Sequence, residues 1–157
     1  MKRFLFLFMT ALAAGWMSES TQAAPLQLLT AKEAAEPDLP VPKGGKPSDV
    51  FQAKPPVPGA PQIIVDKPAQ GIGVKTPFAV KIRFLPNDGA RINLNSLEID
   101  VVKLVRISLL DRVKPYLSAA GINVPEAVVP SGTYNIRIAI ADDQGRLGVT
   151  TQTWTIL

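Results

Sequence analysis

From Pro61 to its last residue the chain reads as short runs of alternating apolar and polar positions; a proline-rich stretch precedes them, and before that comes one uninterrupted apolar run. Gln62 to Asp66, built around Ile63, Ile64 and Val65, is the first predicted strand. Phe78 to Leu85 sets Phe78, Val80, Ile82 and Phe84 against Ala79, Lys81 and Arg83, the period-two pattern of a half-buried antiparallel strand. Pro86, Asn87, Asp88 and Gly89 end it as a turn. Ser96 to Lys103 repeats the alternation, with Leu97, Ile99 and Val101 inward and Glu98 and Asp100 outward, and Val105 to Leu109 reads as a further short strand. Glu126 to Val129 is another, closed by Pro130, Ser131 and Gly132. Thr133 to Ala141 is the clearest, with Tyr134, Ile136, Ile138 and Ile140 on one face and Asn135 and Arg137 on the other. Asp142, Asp143, Gln144 and Gly145 then make a hairpin turn into Arg146 to Leu157. In that last strand Leu147 and Val149 share one parity while Trp154 and Ile156 share the other. This predicts a β-bulge or a crossing between sheets among Thr150, Thr151, Gln152 and Thr153.

Residues 111–121 break the rhythm. Asp111 is a good N-cap, Val113, Tyr116, Leu117 and Ala120 fall on one helical stripe, and Gly121 suits the position just past a helix end. One short helix is predicted there, with Pro115 tolerated in its first turn.

The segments before Pro61 read differently. Lys2 and Arg3, the apolar run Phe4 to Met17 and the small and polar residues through Ala24 form the pattern of a secretory signal peptide over residues 1–23, cleaved after Ala23. The apolar run is shorter than the roughly 20 residues that span a bilayer, so no transmembrane segment is expected after cleavage. Residues 24–61 then hold nine of the fifteen prolines. That composition predicts a flexible, proline-rich leader over residues 24–60, with one island: Thr30 to Glu33 has the spacing of a capping box, and Leu26, Leu28 and Leu29 precede it.

Composition narrows the chemistry. Removing Lys2, Arg3 and Glu19 from the 17 basic and 13 acidic residues leaves 15 and 12, a net of +3. The remaining chain carries no Met, Cys or His, so its side chains offer no soft or borderline metal ligand, no thiol nucleophile and no Ser-His-Asp triad. No catalytic residue, metal site or cofactor is therefore expected, and the chain is read as non-enzymatic. An exported domain without disulfides rests on its core alone.

About seven short strands with turns at roughly ten-residue intervals predict an all-β fold, an antiparallel two-sheet sandwich of immunoglobulin type with the short helix in its middle connection. Specific residues carry a resemblance. Pro130, Gly132, Tyr134, Ile136, Ile138, Ile140, Asp142 and Gly145 resemble the penultimate-strand pattern of bacterial immunoglobulin-like domains, and Pro68, Gly71, Val74, Thr76, Pro77, Phe78, Val80 and Phe84 resemble their first half. The resemblance covers residues 61–157 and implies a tyrosine corner at Tyr134. It fails between Leu104 and Val124, where such domains have a short connection.

Candidate chemistry is thin. Glu98 and Asp100, two apart on one strand, stand roughly 6 to 7 Å apart, within the range of a glycosidase carboxylate pair, but an outer sheet face carries such residues anyway. Asp142 and Asp143 offer oxygens that Ca²⁺ could use, yet the EF-hand spacing is missing and hairpin turns select Asp for geometry. Lys81, Arg83 and Arg137 belong to strands of opposite sheets, so no basic stripe for nucleic acid forms. The sequence is read as an exported, non-catalytic binding or assembly module of the bacterial cell envelope, periplasmic or secreted, whose partner is another envelope protein or a glycan. A carbohydrate-binding or carboxylate-dependent glycan-processing protein and a small-ligand carrier are the alternatives. Because binding residues concentrate on loops held by rigid scaffolds, the interaction surface is placed at Arg112, Lys114, Tyr116 and Ser118. The outward pair Arg112 and Lys114 is expected to tolerate charge reversal with almost no loss of stability.

Overall fold

The computed structural model describes residues 24–40 and 57–157, and the signal-peptide reading of residues 1–23 lies outside them. Ten strands are present among the described residues: β1 (Leu26–Gln27), β2 (Gln62–Lys67), β3 (Gly73–Val74), β4 (Phe78–Leu85), β5 (Ile92–Val102), β6 (Arg106–Ser108), β7 (Leu117–Ser118), β8 (Gly121–Val128), β9 (Gly132–Asp142) and β10 (Leu147–Ile156). One sheet runs β1-β8-β4-β2 with β7 also paired to β8, and the other runs β3-β10-β9-β5-β6. The fold is all-β and sandwich-like. Most pairs are antiparallel, but β1 joins β8, and β3 joins β10, in parallel. The expectation of about seven antiparallel strands is corrected on both counts, because two-residue strands carry too little alternation to be read from sequence.

The inner faces are those the alternation predicts. Val80, Ile82 and Phe84 of β4 and Ile122 and Val124 of β8 meet Leu97, Ile99 and Val101 of β5, Tyr134, Ile136, Ile138 and Ile140 of β9, and Trp154 and Ile156 of β10, all in one core. Phe78 and Trp154 bridge the sheets edge to face, with ring centroids 6.1 Å apart.

Three local readings are corrected. β10 pairs with β9 continuously from Leu147 to Ile156, without the expected slip. Even-numbered residues simply stay inward throughout, Gly148, Trp154 and Ile156 among them, and Leu147 is left 43% exposed instead of being rescued by a bulge. A turn of helix in the arm is α1 (Ala31–Ala34), and the predicted helix of the middle connection shrinks to a single turn, α2 (Leu110–Val113), followed by a 3₁₀ turn at Lys114–Tyr116. Val113 is buried, Leu117 half-buried and Ala120 exposed, so the stripe closes only at its first member. Gly121 ends no helix; it opens β8 with φ +145°, where an added Cβ would stand 1.9 Å from the Ile82 carbonyl oxygen. Pro125 masks the front half of β8 in the sequence. It falls where the β4–β8 register shifts between Val80↔Val124 and Phe78↔Ala127, a bulge in which a missing N–H costs no ladder bond.

The described part of the leader lies against the body. Among the described residues 24–40, Leu28 and Leu29 are each 1% exposed and belong to the main core. Residues 24–40 are an arm docked on the body. Burial of the two leucines acts together with the β1–β8 pairing and the arm's ion pairs against the cost of ordering this stretch. Residues 41–56 of the leader lie outside the described residues.

Candidate functional site

The arm and the connection between β5 and β8 build the most connected polar site outside the hairpin turns. β1 lies along the edge of β8, Leu26 opposite Ala127 and Gln27 opposite Val128, and the Leu28 N–H donates to the Val128 carbonyl at 3.0 Å. The chain then turns inward. Leu28 and Leu29 enter the end of the sandwich, where Val101, Leu109, Val129, Tyr134, Ile136 and Trp154 surround them, leaving a void of about 10 Å³.

The turn of helix that follows forms for the reason its sequence gives. Thr30 is the N-cap: its hydroxyl oxygen accepts from the Glu33 N–H at 3.3 Å, and Glu33 Oε2 accepts from the Thr30 N–H at 2.8 Å, a complete capping box. The second Glu33 oxygen, Oε1, accepts from Arg112 Nη2 at 2.6 Å. Arg112 Nη1 donates to the Leu28 carbonyl at 2.6 Å. One guanidinium on α2 therefore holds the arm at two points, a forked geometry for which arginine is suited. The Arg112 hydrogen bond brings the Glu33 carboxyl down to about 2 from an ordinary 4.5; burial opposes this, and the bonds from Thr30 add to it.

A second latch closes the far end of the arm. Lys103, only 5% exposed, places its ammonium 2.9 Å from Asp38 Oδ1 and 5.5 Å from the centre of the Tyr134 ring. The Leu104 N–H donates to the Pro37 carbonyl at 2.8 Å. The Tyr134 hydroxyl donates to the Pro130 carbonyl at 2.9 Å, the upstream backbone contact expected of a tyrosine corner, and burial raises its pKa. A cleft of about 400 Å³ lies between Ala34 and Asp38 on the arm and Lys103, Ser131, Thr133 and Tyr134 on the body.

The four residues placed on an interaction surface are split by the structure. Arg112 faces the arm, half-buried in its ion pair with Glu33. Lys114 faces solvent beside Asp111, with 3.5 Å between Nζ and Oδ1. Tyr116 packs against the core. Ser118 donates its hydroxyl to the Gly121 carbonyl at 3.1 Å, closing the turn between β7 and β8. They do not form one exposed patch, and charge reversal at Arg112 can no longer be treated as a surface change.

The remaining candidates are also placed. Glu98 and Asp100 share Arg137, whose Nη1 lies 2.7 Å from Glu98 Oε2 and 3.9 Å from Asp100 Oδ2. Burial, and then the Glu98 charge, raise the Asp100 carboxyl above its usual range. Neither residue lines the arm cleft, the groove between β2 and β10, or the hollow beside β7. Asp142 Oδ1 accepts from the Gln144 and Arg146 N–H groups at 3.0 and 2.9 Å, and Oδ2 accepts from Arg146 Nε at 2.6 Å. Burial pushes this carboxyl up, but those bonds outweigh it and hold it low. Asp143 Oδ1 accepts from the Arg91 N–H at 3.2 Å. Both acids shape the hairpin, and among the described residues no group of three or more acidic side chains gathers as a metal site would require. Lys81 and Arg83 lie on β4 and Arg137 on β9, in different sheets. Among the described residues no helix is long and apolar enough to cross a membrane.

Sequence reasoning noted Leu28 and Leu29 beside the capping box without foreseeing their burial, and it passed over Lys103 and Asp38 as a pair. For the leucines a signal existed: an apolar residue immediately before a capping box is the mark of a helix that enters against a core. For Lys103 and Asp38 there was none, since 65 positions separate them. Compared with known proteins, the chain matches no family model, no curated protein and no solved structure.

Proposed function

We propose that this chain is an exported, non-catalytic immunoglobulin-like module of the bacterial envelope, periplasmic or secreted, that binds or assembles with another envelope protein or a glycan. Three features support the fold part of the reading. The strand that opens the body is divided between the sheets as β2 and β3, the second half running parallel to β10; β4 and β8 neighbour one another in one sheet, and β5, β9 and β10 in the other; and Tyr134 bonds back across its corner. The observation that carries the non-catalytic part is the commitment of the well-placed acids to arginine: Glu33 to Arg112, Asp66 to Arg83, Glu98 to Arg137 and Asp142 to Arg146. A carboxylate held in such a pair is kept in its ionised form and oriented by structure, which counts against a general acid, whose proton must be retained near neutral pH.

The test has two arms. Affinity capture of the protein from envelope extract should recover a reproducible partner, and hydrolysis of a panel of envelope glycans should be the same for the wild type and for the Glu98→Gln, Asp100→Asn double variant. Hydrolysis that disappears in the double variant would move the protein to the glycan-processing class.

A further inference from the structure

The arm meets the body through a closed set of contacts: β1 on the β8 edge, Leu28 and Leu29 in the core, Arg112 on Glu33 and on the Leu28 carbonyl, Lys103 on Asp38, and the Leu104 N–H on the Pro37 carbonyl. Every one joins residues 26–38 to the body beyond residue 100. None of them requires arm and body to belong to the same molecule. We infer that a second copy of this chain supplies the arm when copies are crowded, so that two molecules exchange residues 26–38 reciprocally, each arm seated on the other's β8 edge.

Three observations carry this. The first is reach: Pro40 and Val57 are joined by 16 residues, and that length of chain spans up to about 55–60 Å. A globular unit of about 100 residues has a radius of gyration of about 13 Å, so a neighbouring body in contact lies within the tether. The second is fit. When the arm leaves, Val101, Leu109, Val129, Ile136 and Trp154 lose the two leucines that cover them, and the two basic residues Arg112 and Lys103 lose their carboxylates. Another copy's arm restores all of these contacts at once, which no generic apolar segment does. The third is balance. The contacts are identical in the closed and exchanged forms, so the choice is set by concentration against the effective concentration that a 16-residue connection gives the arm, of order mM for a linker of that length. The closed monomer prevails in dilute solution, and the reciprocal dimer grows as copies are crowded towards about 1 mM. This goes beyond the partner-binding reading above and stands without it, since it needs only the purified chain.

Charge reversal tests it. A chain carrying Glu33→Arg and, separately, one carrying Arg112→Glu each oppose like charges across the seat, so each alone should release its arm and show it cleaved by protease. In an equimolar mixture the charges are complementary only between chains. Sedimentation of the mixture should show a species of twice the monomer mass containing both variants, with the arms again protected. A chain carrying both substitutions restores the ion pair within one molecule, without the Leu28 carbonyl and Thr30 bonds, and should return as a monomer in dilute solution more protected than either single variant. If that chain recovers while the mixture stays monomeric, exchange is overturned. The wild type supplies a reading independent of those variants: released in moderate urea and returned to buffer at about 1 mM, it should yield dimer that persists on dilution until urea is added again. Monomer alone at that step also overturns the inference.

Discussion

Leu28→Ala separates a docked arm from a flexible leader. Leu28 is 1% exposed, beside Leu29 and against the void shared with Trp154. Truncating a fully buried leucine costs about 2–5 kcal/mol, the lost transfer energy plus the enlarged cavity. For a chain of this size each kcal/mol moves the melting temperature by about 3–5 °C, so a loss of about 3 kcal/mol should lower it by about 10–15 °C. One feature bounds the figure: the arm can leave the body without global unfolding, and the penalty then saturates at the arm's own docking energy. Two readouts keep the cases apart. Thermal unfolding followed by Trp154 fluorescence reports the body, and limited proteolysis within residues 24–40 reports the arm. Leu26→Ala, at a half-buried position, should shift both by less. If Leu28→Ala changes neither the midpoint by more than about 2 °C nor the cleavage rate, the leucines contribute no core and the docked arm is refuted.

Further expectations concern charge, backbone and corner. Glu33 titrates at about 2 in the folded arm against an ordinary 4.5, so its stabilising contribution is complete above pH 4.5 and fades as the pH falls towards 2; protease sensitivity of the arm should rise across that window, and Arg112→Ala should weaken the dependence, leaving the share due to Thr30, at a cost of about 1–2 kcal/mol. Asp100 carries the opposite sign: raised by burial and by Glu98, it favours folding as the pH falls through the range just above its ordinary 3.8, and Asp100→Asn should flatten that slope in urea titrations. Gly121→Ala should cost about 1–3 kcal/mol from its φ of +145° alone and more from the Ile82 carbonyl, whereas Gly145→Ala, with nothing within 4 Å, should cost about 1 kcal/mol; urea midpoints compare the two. Tyr134→Phe should lose about 0.5–1.5 kcal/mol by removing the hydroxyl that donates to the Pro130 carbonyl, measured by the same titration.

By itself the sequence determined the sheet interior. The alternation of Phe78 to Leu85 and of Thr133 to Ala141 fixes which side chains face inward, because a one-residue slip would turn every isoleucine to water. It determined the capping box too, since Thr30 and Glu33 are three positions apart and satisfy each other locally. Where the chain's signals were local but ambiguous, tertiary packing chose: Gly121 suits a helix end by itself, and only the approach of the Ile82 carbonyl makes it the start of a strand. The same holds for β10, where two parities of apolar residue were visible and the available inner face accepted one of them. The arm was decided by the fold alone. Proline content describes how a segment behaves when it has nothing to cover; the leucines before the capping box signal a helix entering against some core, but nothing in residues 24–40 says which core, or that Arg112 and Lys103 would meet Glu33 and Asp38 there. Burial of two leucines is favourable only once β5, β8, β9 and α2 have built the seat that receives them, so that part of the protein exists as a property of the assembled structure and of no segment within it.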